Sequence, residues 1–568
     1  MMVITKSEFK YSKKLLAVFM FLLFAASSLI FVQSAQAAPV EIVNNSNWLD
    51  TDGNQILSQG GFVFEKDGTY YWYGMDYSGY PGIKKINMYS STDLKNWTKH
   101  ANIVDFTTIN AKLNAIGDTT TKQFANSQWI GRPIVAYNTV TSKYVLMAEW
   151  GSSDGNRNKI TIFTSDTPNG PFTYEKHITK PGGYNMGDLG SIFTDDDGST
   201  YITYTIDYNS WDVNGGLQIS KLSPDFMNFD EITKTFVSNG PYKEATTLFK
   251  RGSTYIMLAS TTHGWASSQT WCYSASSLSG TWAAPYICAT APNSSDSFDT
   301  QVDQVLPIHG TEETMYMYIG DRWNNFTGGS TGVGTIQWYP LTFSSSGAPT
   351  INGYSKWSLD EAAGTWSIPP VNIDVTKTYS IINRLTGKAL GIVNNGTTDG
   401  DKVEQRTYTA AASQAWKLVD VGEGYYQLRN VNSGSNITVG NALADGAQTS
   451  IWTSSPSTSQ QFKLLNAGDG YIKLMNRYSS KVLSITGGST ADGALNIQTS
   501  VSNGLSQYWS FIEVPPVVIT PIVYEAELLS ATTSSGDLQG NFNDTATGKN
   551  VSSSNYNLAY DSIKLVKN

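Results

Sequence analysis

The sequence predicts an all-β protein, a five-bladed β-propeller followed by a β-trefoil, and two internal repeats of different period carry that expectation. Between about residues 60 and 345 a turn followed by a strand with an early tyrosine recurs five times, at Tyr70, Tyr144, Tyr201, Tyr255 and Tyr316, with separations of 74, 57, 54 and 61. Further on, Asp-Gly pairs at Asp399, Asp445 and Asp492 lie 46 and 47 residues apart, and Gln414, Gln460 and Gln507 follow each by 15. Composition agrees with both: 16 Trp and 32 Tyr accompany only 15% charged residues, as suits a β-rich, sugar-facing protein in which flat rings cover the apolar faces of pyranoses.

The chain begins with a segment that reads as a secretory signal over residues 1–37. Lys6, Lys10, Lys13 and Lys14 form its basic end, LLAVFMFLLFAASSLIFV its apolar core, and Ala35-Gln36-Ala37 its cleavage site. An uncleaved anchor helix is the alternative. Cleavage removes four Lys and one Glu and takes the formal net charge from −9 to −12, which disfavours nucleic acid and anionic membrane as partners. A secreted, extracellular monomer is expected, with no membrane contact after cleavage. Cys272 and Cys288 exclude a disulfide-scaffolded fold but permit one bridge in an oxidising compartment. The four histidines are scattered with no metal-ligand spacing, so no metal site is expected. No cofactor is required, and a structural calcium in the channel has no motif behind it.

Residues 38–357 form the expected propeller. The Tyr-containing strands KDGTYYWYG, VTSKYVLMAEW, DDGSTYITYT, KRGSTYIMLAS and TEETMYMYIG each close a stretch long enough for four short strands, rich in β-branched and aromatic residues. Radial repetition leaves only short, protected sheet edges, whereas the alternative is a large double-layer sandwich. The innermost strand of each blade should precede its Tyr strand. That places Gln59, Arg132, Asp188, Glu244 and Gln301 at the strand heads, crowding the channel mouth. Strand ends are commonly polar for bland reasons; five polar heads at equivalent positions point to a site. Two carboxylates facing a sugar-sized cavity suit glycoside hydrolysis, with Glu244 as general acid and Asp188 tuning it. The GSSDG stretch at 151–155 fits a serine-hydrolase pattern, but it leads into the strand-like NRNKITIFTS rather than a helix and is set aside.

The motifs SSTDLKNW, FTDDDGSTYITY, KEATTLF and GDRW together resemble glycoside hydrolase family 43, a five-bladed family of inverting enzymes. WLDTDGNQI, RPIVAYN, HGWASSQ and TQVDQVLP look most like its exo-β-1,3-galactanase branch. The resemblance implies Glu244 as the acid, Asp188 as its pKa modulator and Gln301 in the place of a catalytic base. It further implies Trp265 and Trp323 as sugar-stacking rings, and Arg132 and Arg322 as polar site residues beside Gln59. Asp188 stands one residue farther from DDDG than is usual, which requires either a bulge or a moved role. Where most of the family carries an Asp base, this chain has Gln59-Gly60-Gly61, and Gly131 and Met75 replace glutamates typical of the branch. Asp303, Asp76 and Glu149 remain alternative bases.

Residues 358–374 are a linker, and residues 375–514 resemble ricin-type lectin repeats of carbohydrate-binding module family 13. The Asp that normally holds sugar in such repeats is replaced by Gly391, Thr438 and Ser484. A Pro-rich linker spans 515–523, and 524–568 resembles the end strands of a truncated β-sandwich module. The substrate expected is a plant-type polysaccharide or oligosaccharide, and the leading expectation is an inverting exo-β-1,3-galactanase. The alternatives are an α-L-arabinofuranosidase, β-D-galactofuranosidase or β-xylosidase of the same family, or a non-catalytic sugar-binding propeller.

Overall fold

A computed structural model describes residues 39–76, 78, 85–115, 129–151, 159–179, 186–206, 216–237, 241–264, 266–289, 296–323 and 335–515, with four short strands beyond. The expected signal segment, 1–37, lies outside the described residues. The chain is all-β apart from short helices, and five four-stranded antiparallel sheets follow one another in sequence order, each built from one contiguous stretch. Their tight turns follow turn chemistry. In the first sheet Asp67 and Gly68 both take positive φ, 53° and 75°, as a two-residue hairpin turn between twisted strands requires.

The first strands of the five sheets are Gln59–Lys66, Trp129–Asn138, Met186–Thr194, Lys243–Arg251 and Gln301–His309. Each touches the next, and the fifth returns to the first, so they form a closed propeller-like ring. Among the described residues no ladder joins these neighbouring sheets, and backbone groups on the fourth, fifth and first of these strands take side-chain partners from the strand before them instead. Ser191 Oγ accepts from Leu248 N at 2.9 Å and Thr247 Oγ1 from Val305 N at 3.0 Å. Gln304 brackets the Val63 peptide with both amide atoms, at 2.7 and 2.9 Å. On the other side Phe62, Ile134 and Leu189 fill the junctions with apolar contact.

Closure of the ring also uses the segments that flank the five sheets. Val40–Val43 pairs with Lys356–Asp360, which pairs with Thr365–Ser367, in a three-stranded sheet. Beside it Asn44 donates to Trp338 O (2.6 Å) and accepts from Trp338 N (2.8 Å), imitating a neighbouring strand. Trp48, Trp72, Trp97, Trp338 and Trp357 pack there into one core that joins the first and fifth sheets. One ten-residue helix, Phe106–Ala115, lies between the first two sheets. Asp105 caps it by accepting from Thr107 N and Thr108 N, and its buried Phe106, Ile109 and Leu113 face the core. Cys272 and Cys288, which the sequence left open, are joined in a disulfide.

The C-terminal unit has the threefold trefoil-like plan. Trp416, Phe462 and Trp509 are fully buried in a single core. Each repeat's Gln pins the backbone five residues before it: Gln414 accepts from Thr409 N, Gln460 from Ser455 N, and Gln507 from Ser502 N. The Asp-Gly turns link repeats in a cycle, with Asp399 accepting from Thr453 N, Asp445 from Ser500 N and Asp492 from Thr407 N. This unit seats on the segment leaving the fifth sheet, where Asp469 accepts from Ser355 N and Oγ at 2.7 and 2.6 Å. In the tail, Ile522–Glu525 pairs with Ser562–Leu565, and Asn541–Asn543 with Asn550–Ser552. Among the described residues no helix is long and apolar enough to cross a membrane.

Candidate active site

The heads of the first strands are built by bulges. Register shifts occur between Gln59 and Phe62, Gly131 and Ile134, Glu244 and Thr247, and Val302 and Gln304. At three of these the kink is left-handed, with φ of 56° at Gly60, 42° at Arg132 and 54° at Ala245. A side chain at such φ costs about 1–2 kcal/mol, and here the bulge re-aims the preceding residue toward the channel. The third strand carries two shifts, between Met186 and Leu189 and between Leu189 and Ile192. A bulge therefore absorbs the extra residue noted at Asp188. In the second sheet Gly131, opposite Glu149, occupies the head position that Gln59 and Glu244 hold in theirs. This corrects the placement of Arg132, which sits one residue further in.

Glu244 and Gln301 meet directly: Gln301 Nε2 donates to Glu244 Oε1 at 2.8 Å. The orientation of the amide is fixed from its other side, because the indole N–H of Trp323 can only donate and does so to Gln301 Oε1 at 2.9 Å. Glu244 is 5% exposed. Burial, followed by the negative charge of Asp188, pushes its carboxyl well above the ordinary carboxylate range; Arg132 and the Gln301 hydrogen bond oppose this without prevailing. Asp188 itself is partly exposed. The pair is thus a carboxyl whose protonated form burial favours, in contact with a neutral amide.

Beneath it lies Arg132, 4% exposed, whose guanidinium donates to Leu189 O at 2.9 Å and Val302 O at 2.7 Å and ion-pairs with Asp303 at 3.3 Å. It ties the second, third and fifth sheets together as a strut rather than lining the mouth. Asp303, Asp188, Glu149 and Asp321 surround its charge. Burial and the neighbouring Asp321 raise the Asp303 carboxyl, and burial lifts Asp321 to about 7. Burial and the mutual coupling of the two carboxyls favour a form in which they share a proton.

A common clasp recurs around the ring. The residue opposite a strand head accepts from a backbone N–H of the following sheet: Glu149 from Leu189 N, Ser260 from Val302 N at 3.0 Å, and Asp321 from Gly60 N. The alternative bases are therefore engaged. Glu149 holds Leu189, Asp303 holds Arg132, and Asp76 accepts from Asn87 Nδ2 at 3.1 Å and from Ser78 N and Oγ. Gln59 is buried at its head. Trp323 is 3% exposed and serves Gln301 through its indole edge. Arg322 donates to Phe298 O at 2.9 Å. Trp265 lies outside the described residues. Asp321 was not singled out from sequence, although GDRW contains it; its signal is its register opposite Gln301. No group of three or more His, Cys, Asp or Glu among the described residues could hold a metal ion. In the C-terminal unit Gly391, Thr438 and Ser484 are all buried, so none projects a ligand to solvent.

Comparison with known proteins bears on both units. The family described as Glycosyl hydrolases family 43 matches residues 58–340, and Ricin-type beta-trefoil lectin domain-like matches 354–452, 421–500 and 458–520. An exo-beta-1,3-galactanase from Clostridium thermocellum is 28% identical, with a TM-score of 0.52 over 84% of this chain and 100% of its own. A family 43 beta-1,3-galactosidase is 22% identical (TM-score 0.50, 83% of this chain, 94% of that one). A variant exo-beta-1,3-galactanase from Phanerochaete chrysosporium, solved with beta-1,3-galactotriose, is 24% identical (TM-score 0.51, 84% and 93%). The latter two speak for the fold alone. No curated protein matches the chain. Residues 58–340 belong to glycosyl hydrolases family 43, and the protein is a glycosidase that carries a ricin-type β-trefoil lectin-like domain behind its catalytic unit.

Proposed function

We propose that the protein is a secreted exo-β-1,3-galactanase, a five-bladed propeller that releases galactose with inversion of configuration. The observation that carries this reading is the buried contact between Glu244 and Gln301, with Glu244 kept protonated by burial and by Asp188. Glu244 protonates the leaving glycosidic oxygen. Gln301 stands where a carboxylate nucleophile or base would be needed. A neutral amide cannot form a glycosyl ester, which favours direct displacement by water over a covalent intermediate. Its carbonyl orients that water, and its N–H toward Glu244 offers a relay through the imidic tautomer by which the proton returns to the acid.

Support for the sugar comes from the 28% identical galactanase, which aligns over 84% of this chain. The signal-like segment and the Cys272–Cys288 bridge support secretion into an oxidising compartment. The reading is tested by incubating the protein with β-1,3-galactan, arabinan and arabinoxylan and following product anomers by NMR. Galactose appearing first as the α-anomer from galactan alone is expected, and Glu244→Gln should suppress it. Release of the β-anomer would overturn inversion, and turnover of arabinan or arabinoxylan instead would move the enzyme to another sugar.

A further inference from the structure

Just before Gln301 the chain makes a turn of unusual handedness. Ser297, Phe298 and Asp299 have φ of 53°, 61° and 63°, three consecutive non-glycine residues in the left-handed region. Each residue with a Cβ is strained there, so such a run relaxes unless its surroundings hold it. The holding contacts are specific. Thr300 N donates to Asp296 O at 3.0 Å, and Thr300 Oγ1 to Ser297 O at 2.6 Å. Ser297 Oγ donates to Ser268 O and accepts from Thr270 N. Phe298 is 6% exposed, its ring 5.4 Å from that of Tyr339 and pressed on Gly353, where an added Cβ would lie 2.1 Å from the Phe298 ring.

Arg322 closes this arrangement: it donates to Phe298 O at 2.9 Å and lies 3.7 Å from the Asp299 carboxylate. Its neighbours on the same strand end grip adjoining parts, Asp321 the Gly60 N–H and Trp323 the Gln301 amide. Three consecutive residues thus hold the next sheet, the turn before Gln301 and the Gln301 side chain. We propose that Arg322 is a positioning residue for the reaction, clamping the left-handed turn Asp296–Thr300 so that Gln301 is delivered to Glu244. The inference rests on the reading that Gln301 serves hydrolysis, and it assigns Arg322 a task other than contact with sugar.

Two substitutions reach the turn from opposite sides. Arg322→Met removes the clamp, and Gly353→Ala pushes on Phe298 without touching Arg322. Both should lower kcat on β-1,3-galactan by about tenfold to a hundredfold with KM within about twofold of wild type. Asp299→Gly added to Arg322→Met should restore part of kcat, because glycine holds positive φ without a Cβ penalty. A raised KM with unchanged kcat in Arg322→Met, together with a silent Gly353→Ala, would mean that Arg322 binds sugar and would overturn the proposal. Hydrogen exchange reads the clamp independently of turnover: the amides of Thr300 and Val302 should exchange faster in both variants, and unchanged exchange overturns the clamp. A wild-type enzyme inactive on every glycoside would instead refute the functional reading, leaving the exchange result to decide the clamp.

Discussion

Asp321→Asn tests whether Asp303 and Asp321 share a proton in the folded protein. Asp321 is 1% exposed. Burial lifts its carboxyl from 3.8 to about 7, against the opposing pull of the Gly60 N–H and Arg132. A carboxyl that binds its proton more tightly when folded contributes stability that is complete below the unfolded pKa and lost as pH climbs to the folded one. The window is therefore about pH 4 to 7, and at about 1.36 kcal/mol per pH unit the loss is bounded at about 4 kcal/mol. Asparagine keeps an oxygen for Gly60 N–H, can donate to Asp303 and has no proton to lose. Scanning calorimetry of both proteins in matched buffers should show the variant's Tm gaining on wild type across that window and holding level above it. At about 2 °C per kcal/mol for a domain of this size, the full gain is about 8 °C. The difference between the two proteins cancels the titration of carboxylates remote from the pair, whereas Asp303, coupled to Asp321, belongs to what it reads. A Tm difference that stays constant from pH 4 to 7, or that narrows as pH rises, would mean Asp321 is ionised throughout and would refute the shared proton.

Hydrolysis needs the acid form of Glu244, so activity should fall as pH rises through its raised pKa, and the alkaline limb of kcat/KM should lie above that of an ordinary carboxylic acid. Asp188→Asn removes a charge that holds the proton on Glu244 and should move that limb to lower pH; an unmoved limb would exclude the coupling. Asn44→Ala deletes donors to Trp338 O and Tyr354 O and the acceptor for Trp338 N. Urea unfolding should show a loss of about 2–3 kcal/mol, and a loss below about 0.5 kcal/mol would deny the clasp its role. Gly190→Ala would set a Cβ 2.0 Å from Thr246 Oγ1 and 2.5 Å from Thr246 O, wedging the third sheet from the fourth. The cost should be about 3 kcal/mol or more by the same measurement, with turnover falling as Glu244 shifts.

What could be read from the sequence was what repeats. The five tyrosines mark the second strands of five real sheets, and Gln414, Gln460 and Gln507 hold equivalent turns. Glu244 and Gln301 were legible as strand heads, and the bulge required at Asp188 is present. Bulges also limited the reading. A left-handed kink shifts a head by one residue, which is why Arg132 was set at the mouth although its guanidinium points to three partners beneath it. Asp321 escaped because nothing local distinguishes it. Its meaning comes from register with Gln301 and from a backbone N–H 261 residues earlier in the chain.

The neutral head at Gln59 follows from the same charge count. One buried arginine faces Asp188, Glu149, Asp303 and Asp321, with Glu244 close above. The ring accommodates five carboxyls because burial favours the protonated forms of Glu244, Asp303 and Asp321, and Glu149 and Asp321 each accept a backbone N–H. Gly60, next to Gln59, is the N–H that Asp321 takes, so an aspartate at 59 would add a sixth carboxyl adjoining that shared-proton pair. Each such addition in a low-dielectric channel must either bind a further proton or expel one of the charges already present. Amides at 59 and 301, with Gly131 and Met75 in the second and first sheets, keep the channel within what Arg132 can balance. In this chain burial and the charge of Asp188 at the third head favour the protonated form of the acid at the fourth, while the neutral heads at 59, 131 and 301 add no further carboxylate to the channel.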